Sequence, residues 1–208
     1  MLDDDYWTRV ATLRRRIADL LETLGAEEWD RPSLCEGWRV RDVAGHLSLV
    51  PVITTGQLLA AGPRARFDLN RINTHLARQH GSAPPAEIVA RIREHADRRR
   101  TARMLDTRNS LFDLVVHSQD ITVPLDRPFS VDPEDCRLGL QRVWEMGFPF
   151  HARRRLAGFE LRATDADWSA GSGQEVRGDA LALLMVLTGR ARTVSERLDG
   201  PGAVRLVS

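Results

Sequence analysis

Asp113-Leu-Val-Val-His117-Ser-Gln-Asp120 is the stretch on which the reading of the fold turns. Wound as an α-helix at about 100° per residue, it sets Asp113 and Asp120 within about 60° of His117, one turn before it and one turn after. Leu114 and Ile121 border this polar stripe on one edge, and Phe112, Val116 and Val123 border it on the other. Ser118, Gln119 and Thr122 fall opposite and are expected to face solvent. An acid–histidine–acid row between apolar edges is placed to point inward, where carboxylates without partners are costly.

A second helix, read from about Arg39 to about Ala60 with a bend at Pro51, carries His46 in the middle of its apolar face. Val43, Leu49, Val50 and Ile53 share that face, while Arg41 and Ser48 lie nearly opposite. Two inward histidines and at least one inward carboxylate on two helices of a bundle are satisfied together by a divalent metal. The residues alone leave another reading open: a buried hydrogen-bond network with no ion, its acids answered by arginines.

Working outward, Trp7, Val10, Leu13, Ile17, Leu20, Leu21 and Leu24 recur at three and four and predict a helix over 5–24, stopped by Gly25. Residues 29–38 are irregular, broken by proline and glycine and pinned by two tryptophans. Further helices are expected over 70–80, from Pro84-Pro85 to Leu105, from Thr107 to Leu125, and from Pro133 to Phe148. The period then changes. Phe159, Leu161 and Ala163 alternate with polar residues as in a half-buried strand, and a Gly/Ser loop (Ser169 to Gly173) precedes a second one. Asp179 caps a helix through Thr188, and residues 203–207 read as a last strand. The expected class is mainly α: a four-helix bundle over residues 1–152, followed by a small α/β domain over 153–208.

Composition limits the chemistry. The chain has 208 residues, 42% hydrophobic and 28% charged, with a net charge of +1, ordinary for a globular protein and unlike a dedicated nucleic-acid binder. All 30 basic residues are arginine, which excludes Schiff-base and P-loop lysine mechanisms. The arginine triplets at 14–16, 98–100 and 153–155 read as solvated helix faces. Cys35 and Cys136 form neither a disulfide framework nor a metal pair, and Cys35 reads as a packed structural thiol. The acidic start Met1-Leu2-Asp3-Asp4-Asp5 is unlike a signal peptide, and no apolar run reaches the ~18 residues of a membrane span. A cytoplasmic protein is expected, with no nucleic-acid or membrane partner.

The segment Trp29-Asp-Arg-Pro-Ser-Leu-Cys-Glu-Gly-Trp-Arg-Val-Arg-Asp-Val-Ala-Gly-His-Leu47 resembles the opening motif of the mycothiol-dependent maleylpyruvate isomerase family, relatives of the DinB-like bundles. Asp113 to Asp120 is similar to that family's second metal motif. Ala163 to Trp168, Val176 to Asp179 and Leu187 to Arg190 are similar to its C-terminal domain. The resemblance implies a DinB-like bundle holding one divalent ion through His46, Asp113 and His117. Zinc comes first, and nickel, cobalt, iron and manganese also suit the donors. Asp113 departs from the family's glutamate and is one methylene shorter, and Asp120 is read as orienting a ligand rather than binding the ion. The resemblance also implies mycothiol as thiol cosubstrate and a small electrophilic substrate, for which Arg190 is the candidate carboxylate contact. Isomerisation and S-transfer are both compatible with it, and a non-catalytic metal- or ligand-binding bundle is the alternative. The oligomeric state is left open.

Overall fold

The computed structural model describes residues 3–63, 65–99, 102 and 105–207, and it has the expected class. Helix α1 (Asp4–Glu22) starts where the Asp3 carboxylate accepts from the Tyr6 N–H at 2.9 Å. Val10, Leu13, Ile17 and Leu21, at helical spacing, are at most 1% exposed. After the short α2 (Ala26–Asp30) come α3 (Val40–Leu49) and α4 (Thr55–Ala61). The expected single bent helix over 39–60 is therefore two helices. Pro51 has no N–H to continue the ladder. Thr54 then starts a new helix, its hydroxyl accepting from the Gln57 N–H and its own N–H donating to the Gln57 side chain.

Helix α5 (Leu69–Gly81) packs on α3. A Cβ at Gly45 would lie 2.3 Å from the Gly81 nitrogen, so the two backbones touch. Helix α6 (Pro85–Glu94) packs on α1 and α3. It ends eleven residues before the expected Leu105, because buried Arg14 takes the carbonyls beyond its last turn. Arg14 Nη1 donates to Ala96 at 3.0 Å, Arg98 at 2.8 Å and His95 at 3.4 Å. An Arg14→Met variant is expected to lose about 2–4 kcal/mol, since three carbonyls lose a charged donor. Urea unfolding should show a lower midpoint at unchanged slope.

His80, on α5, is half-buried with Arg91 Nη1 3.3 Å from its Nδ1. Burial first, and then the Arg91 charge, hold its pKa below the ordinary 6.5. The unfolded chain therefore takes up this proton more readily than the folded one. The contribution is complete above pH 6.5 and is lost as pH falls below it. A His80→Gln variant is expected to unfold with a shallower pH dependence across that range.

Helix α7 (Ser110–Thr122) carries Asp113, His117 and Asp120. The chain forms two compact units that divide within it, one comprising residues up to 110 with 117–129, the other 111–116 with 130 onward. In the second unit, α8 (Pro133–Glu145) and the single turn α9 (Ala152–Arg155) precede the sheet. Helix α8 stops at Glu145 rather than Phe148, with Met146 already extended ahead of the Phe148–Pro149 peptide. Helix α10 (Ala180–Leu187), capped by Asp179 as expected, contacts α8 as well as strands β1 (Gly158–Ala163) and β3 (Gly173–Gly178). Strand β2 (Ser169–Gly171) and the two-residue β4 (Leu198–Asp199) complete the order β2-β1-β3-β4, with β1 and β3 parallel and in register from Gly158↔Gly173 to Ala163↔Gly178. The chain wraps from β2 round the start of β1 into β3. Gly171 and Gly173 make this possible, with φ of +86° and +127° and no room for a Cβ against the Phe159 and Gly158 carbonyls.

The expected last strand over 203–207 is instead helix α11 (Ala203–Val207). The Gly202 N–H bonds Glu175 and ends the pairing beside β3, and the Leu206 N–H turns back to the Gly202 carbonyl at 3.0 Å. Among the described residues no helix is long and apolar enough to cross a membrane.

Candidate metal centre

The site is built on α3, α7 and the turn that precedes α3. In Cys35-Glu-Gly-Trp38 the Trp38 N–H donates to the Cys35 carbonyl at 3.0 Å, and Gly37 takes φ +72°, as a β-turn with glycine in third place requires. The Ser33 hydroxyl accepts from the Cys35 N–H at 3.1 Å and donates to the Trp38 carbonyl at 3.0 Å, closing the loop on itself. The Leu34 N–H donates to the Asp120 carbonyl at 3.1 Å, fastening the turn to α7. Cys35 and Trp38 are thereby delivered together to the histidines.

One donor atom each of His46, Asp113 and His117 lies within 4.8 Å of the others. The imidazoles of His46 and His117 are 4.9 Å apart between ring centres, far inside the roughly 10 Å beyond which shared ligation fails. Trp38 stacks on His117 with centres 6.2 Å apart and planes 13° from parallel, and its centre is 5.7 Å from that of His46. Asp120 is wholly buried and its Oδ2 is 2.8 Å from His117 Nδ1. The expected orienting partner is thus in contact with the ring it was expected to orient.

A second trio of donors, Cys35, His117 and Asp120, is equally compact. Cys35 Sγ is 3.1 Å from Asp120 Oδ2 and 3.7 Å from His117 Nδ1. Two ligands at ordinary zinc distances of about 2.0–2.3 Å in a tetrahedron stand about 3.3–3.8 Å apart. The 2.8 Å and 3.1 Å contacts to Asp120 are shorter than that and are hydrogen-bond lengths. The His46 side of the ring is the side suited to an ion.

The environment of α7 corrects one expectation. Ser118, Gln119 and Thr122, placed in solvent by the helical pattern, are 0%, 6% and 1% exposed. Their polar groups are met locally, Thr122 Oγ1 by the Ser118 carbonyl at 2.8 Å and Gln119 Nε2 by the Phe129 carbonyl at 3.3 Å, so burial costs little. Asp113 and His117 are only half-buried, unlike the residues around them on the helix. The stripe of Asp113 and His117 is where this helix reaches the outside.

Cys35 and Trp38 are the residues that sequence reasoning did not bring to the site. Their signal was the Cys-Glu-Gly-Trp turn itself, but nothing in spacing ties Cys35 to Asp120, 85 residues later. Arg190 lies in the second unit, where its Nη1 donates to the Thr188 carbonyl at the end of α10 at 2.7 Å. Beside Trp38, whose indole N–H donates to Thr74 Oγ1 at 3.2 Å, Asn70, Arg71, Thr74, His75 and Arg78 line a recess of about 360 Å³. Two of these described lining residues are arginines and none is acidic.

This geometry can be set beside what the chain is similar to. Residues 10–107 match the family model described as the mycothiol maleylpyruvate isomerase N-terminal domain, which takes in His46 and the turn and ends before α7. A solved histidine-to-alanine mutant of mycothiol-dependent maleylpyruvate isomerase shares the fold over 97% of this chain and 94% of its own, with a TM-score of 0.56 at 13% identity. A second structure of mycothiol-dependent maleylpyruvate isomerase covers 91% of this chain and 90% of its own, with a TM-score of 0.52 at 14% identity. No curated protein matches the sequence. Over residues 10–107 the resemblance to the mycothiol-dependent maleylpyruvate isomerase family, read from the motif at 29–47, is borne out, and the fold is shared across the chain.

Proposed function

We propose that this chain is a mycothiol-dependent enzyme of the maleylpyruvate isomerase type, acting on a small electrophilic molecule in the cytoplasm. The observation that carries the reading is the convergence of His46, Asp113 and His117 within 4.8 Å. Two imidazoles and a carboxylate fit a borderline divalent cation, zinc foremost, and three ligands leave a coordination position open. These three residues would hold the cation, whose charge when bound lowers the pKa of a thiol and favours the thiolate. Asp120 keeps the His117 proton on Nδ1 and so leaves Nε2 unprotonated. Trp38 lays an apolar face along the ring.

The proposal assigns the cation to the helical domain, residues 1–152. Arg190 of the small α/β domain, residues 153–208, is proposed as a contact for a substrate carboxylate. The two guanidiniums of the recess beside Trp38 also favour an anionic molecule. Isomerisation returns the thiol unchanged, whereas S-transfer leaves it on the product, so product analysis separates the two.

Protein purified without an affinity tag is expected to carry about one zinc per chain by elemental analysis. Turnover of maleylpyruvate or a related electrophile is expected to require mycothiol, to stop on chelation and to return with zinc. Protein free of any ion, with no metal-dependent turnover on any electrophile tried, overturns the reading.

A further inference from the structure

We propose that Cys35 is a positioning residue: its thiol, together with the Leu34 N–H, holds Asp120 so that the carboxylate fixes the His117 ring for metal binding. The inference rests on the ion-site reading for its affinity measurement and stands apart from it for the rest.

Asp120 Oδ2 is shared. His117 Nδ1 is 2.8 Å from it, and the Cys35 thiol donates to it at 3.1 Å. The carboxylate is 0% exposed, so no bulk water competes for its lone pairs, and a buried acceptor held by two donors has one preferred rotamer. The Leu34 N–H to Asp120 carbonyl bond, 3.1 Å, ties the backbone of the turn to the residue whose side chain the thiol contacts. A carboxylate fixed in this way accepts the His117 Nδ1 proton and leaves Nε2 as the only lone pair of the ring. Outer partners of this kind typically change metal affinity 10–100-fold when removed. The ligand alternative, in which Cys35 itself binds the ion, requires Asp120 to move off both neighbours, because its contacts are shorter than two zinc ligands allow.

The test compares wild type with Cys35→Ala and Cys35→Ser in the full chain. Zinc affinity is measured by competition with a chromogenic chelator, the His117 tautomer by nitrogen-15 NMR of the metal-free protein, and thiolate ligation by the absorption of the cobalt(II) form. Cys35→Ala is expected to weaken zinc about 10-fold and to add a second tautomer to His117. Cys35→Ser, which keeps a hydroxyl donor, is expected to restore a single Nδ1–H tautomer and most of the affinity. No thiolate-to-cobalt band is expected in any of the three.

A Cys35→Ala protein with unchanged tautomer and unchanged affinity overturns the proposal. A thiolate band in wild type that disappears in Cys35→Ala also overturns it, making Cys35 a ligand. If wild type binds no metal while the tautomer still responds to Cys35→Ala and recovers in Cys35→Ser, the ion reading fails and the positioning role stands.

Discussion

Replacing His117 by alanine is expected to remove bound metal and turnover together and to destabilise the metal-free fold by about 2–3 kcal/mol. The first effect follows from taking one of the three proposed ligands. Loss of affinity should exceed the 10–100-fold typical of an outer partner, leaving protein without stoichiometric zinc after dialysis. The second effect comes from Asp120, which is wholly buried and would keep the Cys35 thiol but lose the imidazole 2.8 Å away. Taking a hydrogen-bond donor away from a buried acceptor costs about 1–3 kcal/mol, and more when the acceptor is charged. The side chain of His117 is 13% exposed, so water entering the vacated space offsets part of that cost. Elemental analysis and urea unfolding in the presence of chelator measure the two effects separately. A His117→Ala protein that retains one zinc per chain sinks the ligand assignment.

Gly45→Ala is expected to be among the most damaging single methyl additions in the described chain, at about 3–5 kcal/mol. The added Cβ would lie 2.3 Å from the Gly81 nitrogen, 2.7 Å from its Cα and 2.8 Å from the Ala77 carbonyl oxygen. All three are backbone atoms, so no side chain can swing away. In return, a Cβ at Gly81 would meet the Arg41 carbonyl oxygen at 2.7 Å. Helices α3 and α5 must separate by on the order of 1 Å, and interiors packed at crystal density absorb that poorly. At roughly 2–4 °C per kcal/mol for a chain of this size, thermal unfolding should fall by about 10–15 °C. Because His46 follows Gly45 directly, zinc affinity should weaken as well. A thermal shift smaller than about 3 °C would mean that the helices do not approach as described.

Much of this architecture was legible because it follows from local periodicity. The apolar spacing of α1, the alternation of β1 and the Asp179 cap each reflect a short-range rule that the surrounding packing reinforces. The helical wheel also placed His46 and His117 each on an inward face. It failed on the far side of α7, where Ser118, Gln119 and Thr122 look solvent-facing by composition but meet their hydrogen bonds locally and are covered. Residues 203–207 are too few for periodicity to separate strand from helix, and pairing beside β3 ended at Gly202 for reasons outside the segment. The break at Pro51 was visible as a proline, but whether the ladder bends or restarts was decided by Thr54 and Gln57. Cys35 was the least legible, because its meaning depends on a long-range bond to Asp120.

The Cys-Glu-Gly-Trp turn has one more implication for redesign of this site. Thiol and indole are carried on a single four-residue scaffold, fastened through Leu34 to α7 and through the Gly37 carbonyl to Arg78 at 2.7 Å. Lengthening that loop displaces both groups simultaneously and forfeits imidazole alignment. Trimming the indole at position 38 while retaining the loop's length leaves the thiol's hold on Asp120 in place.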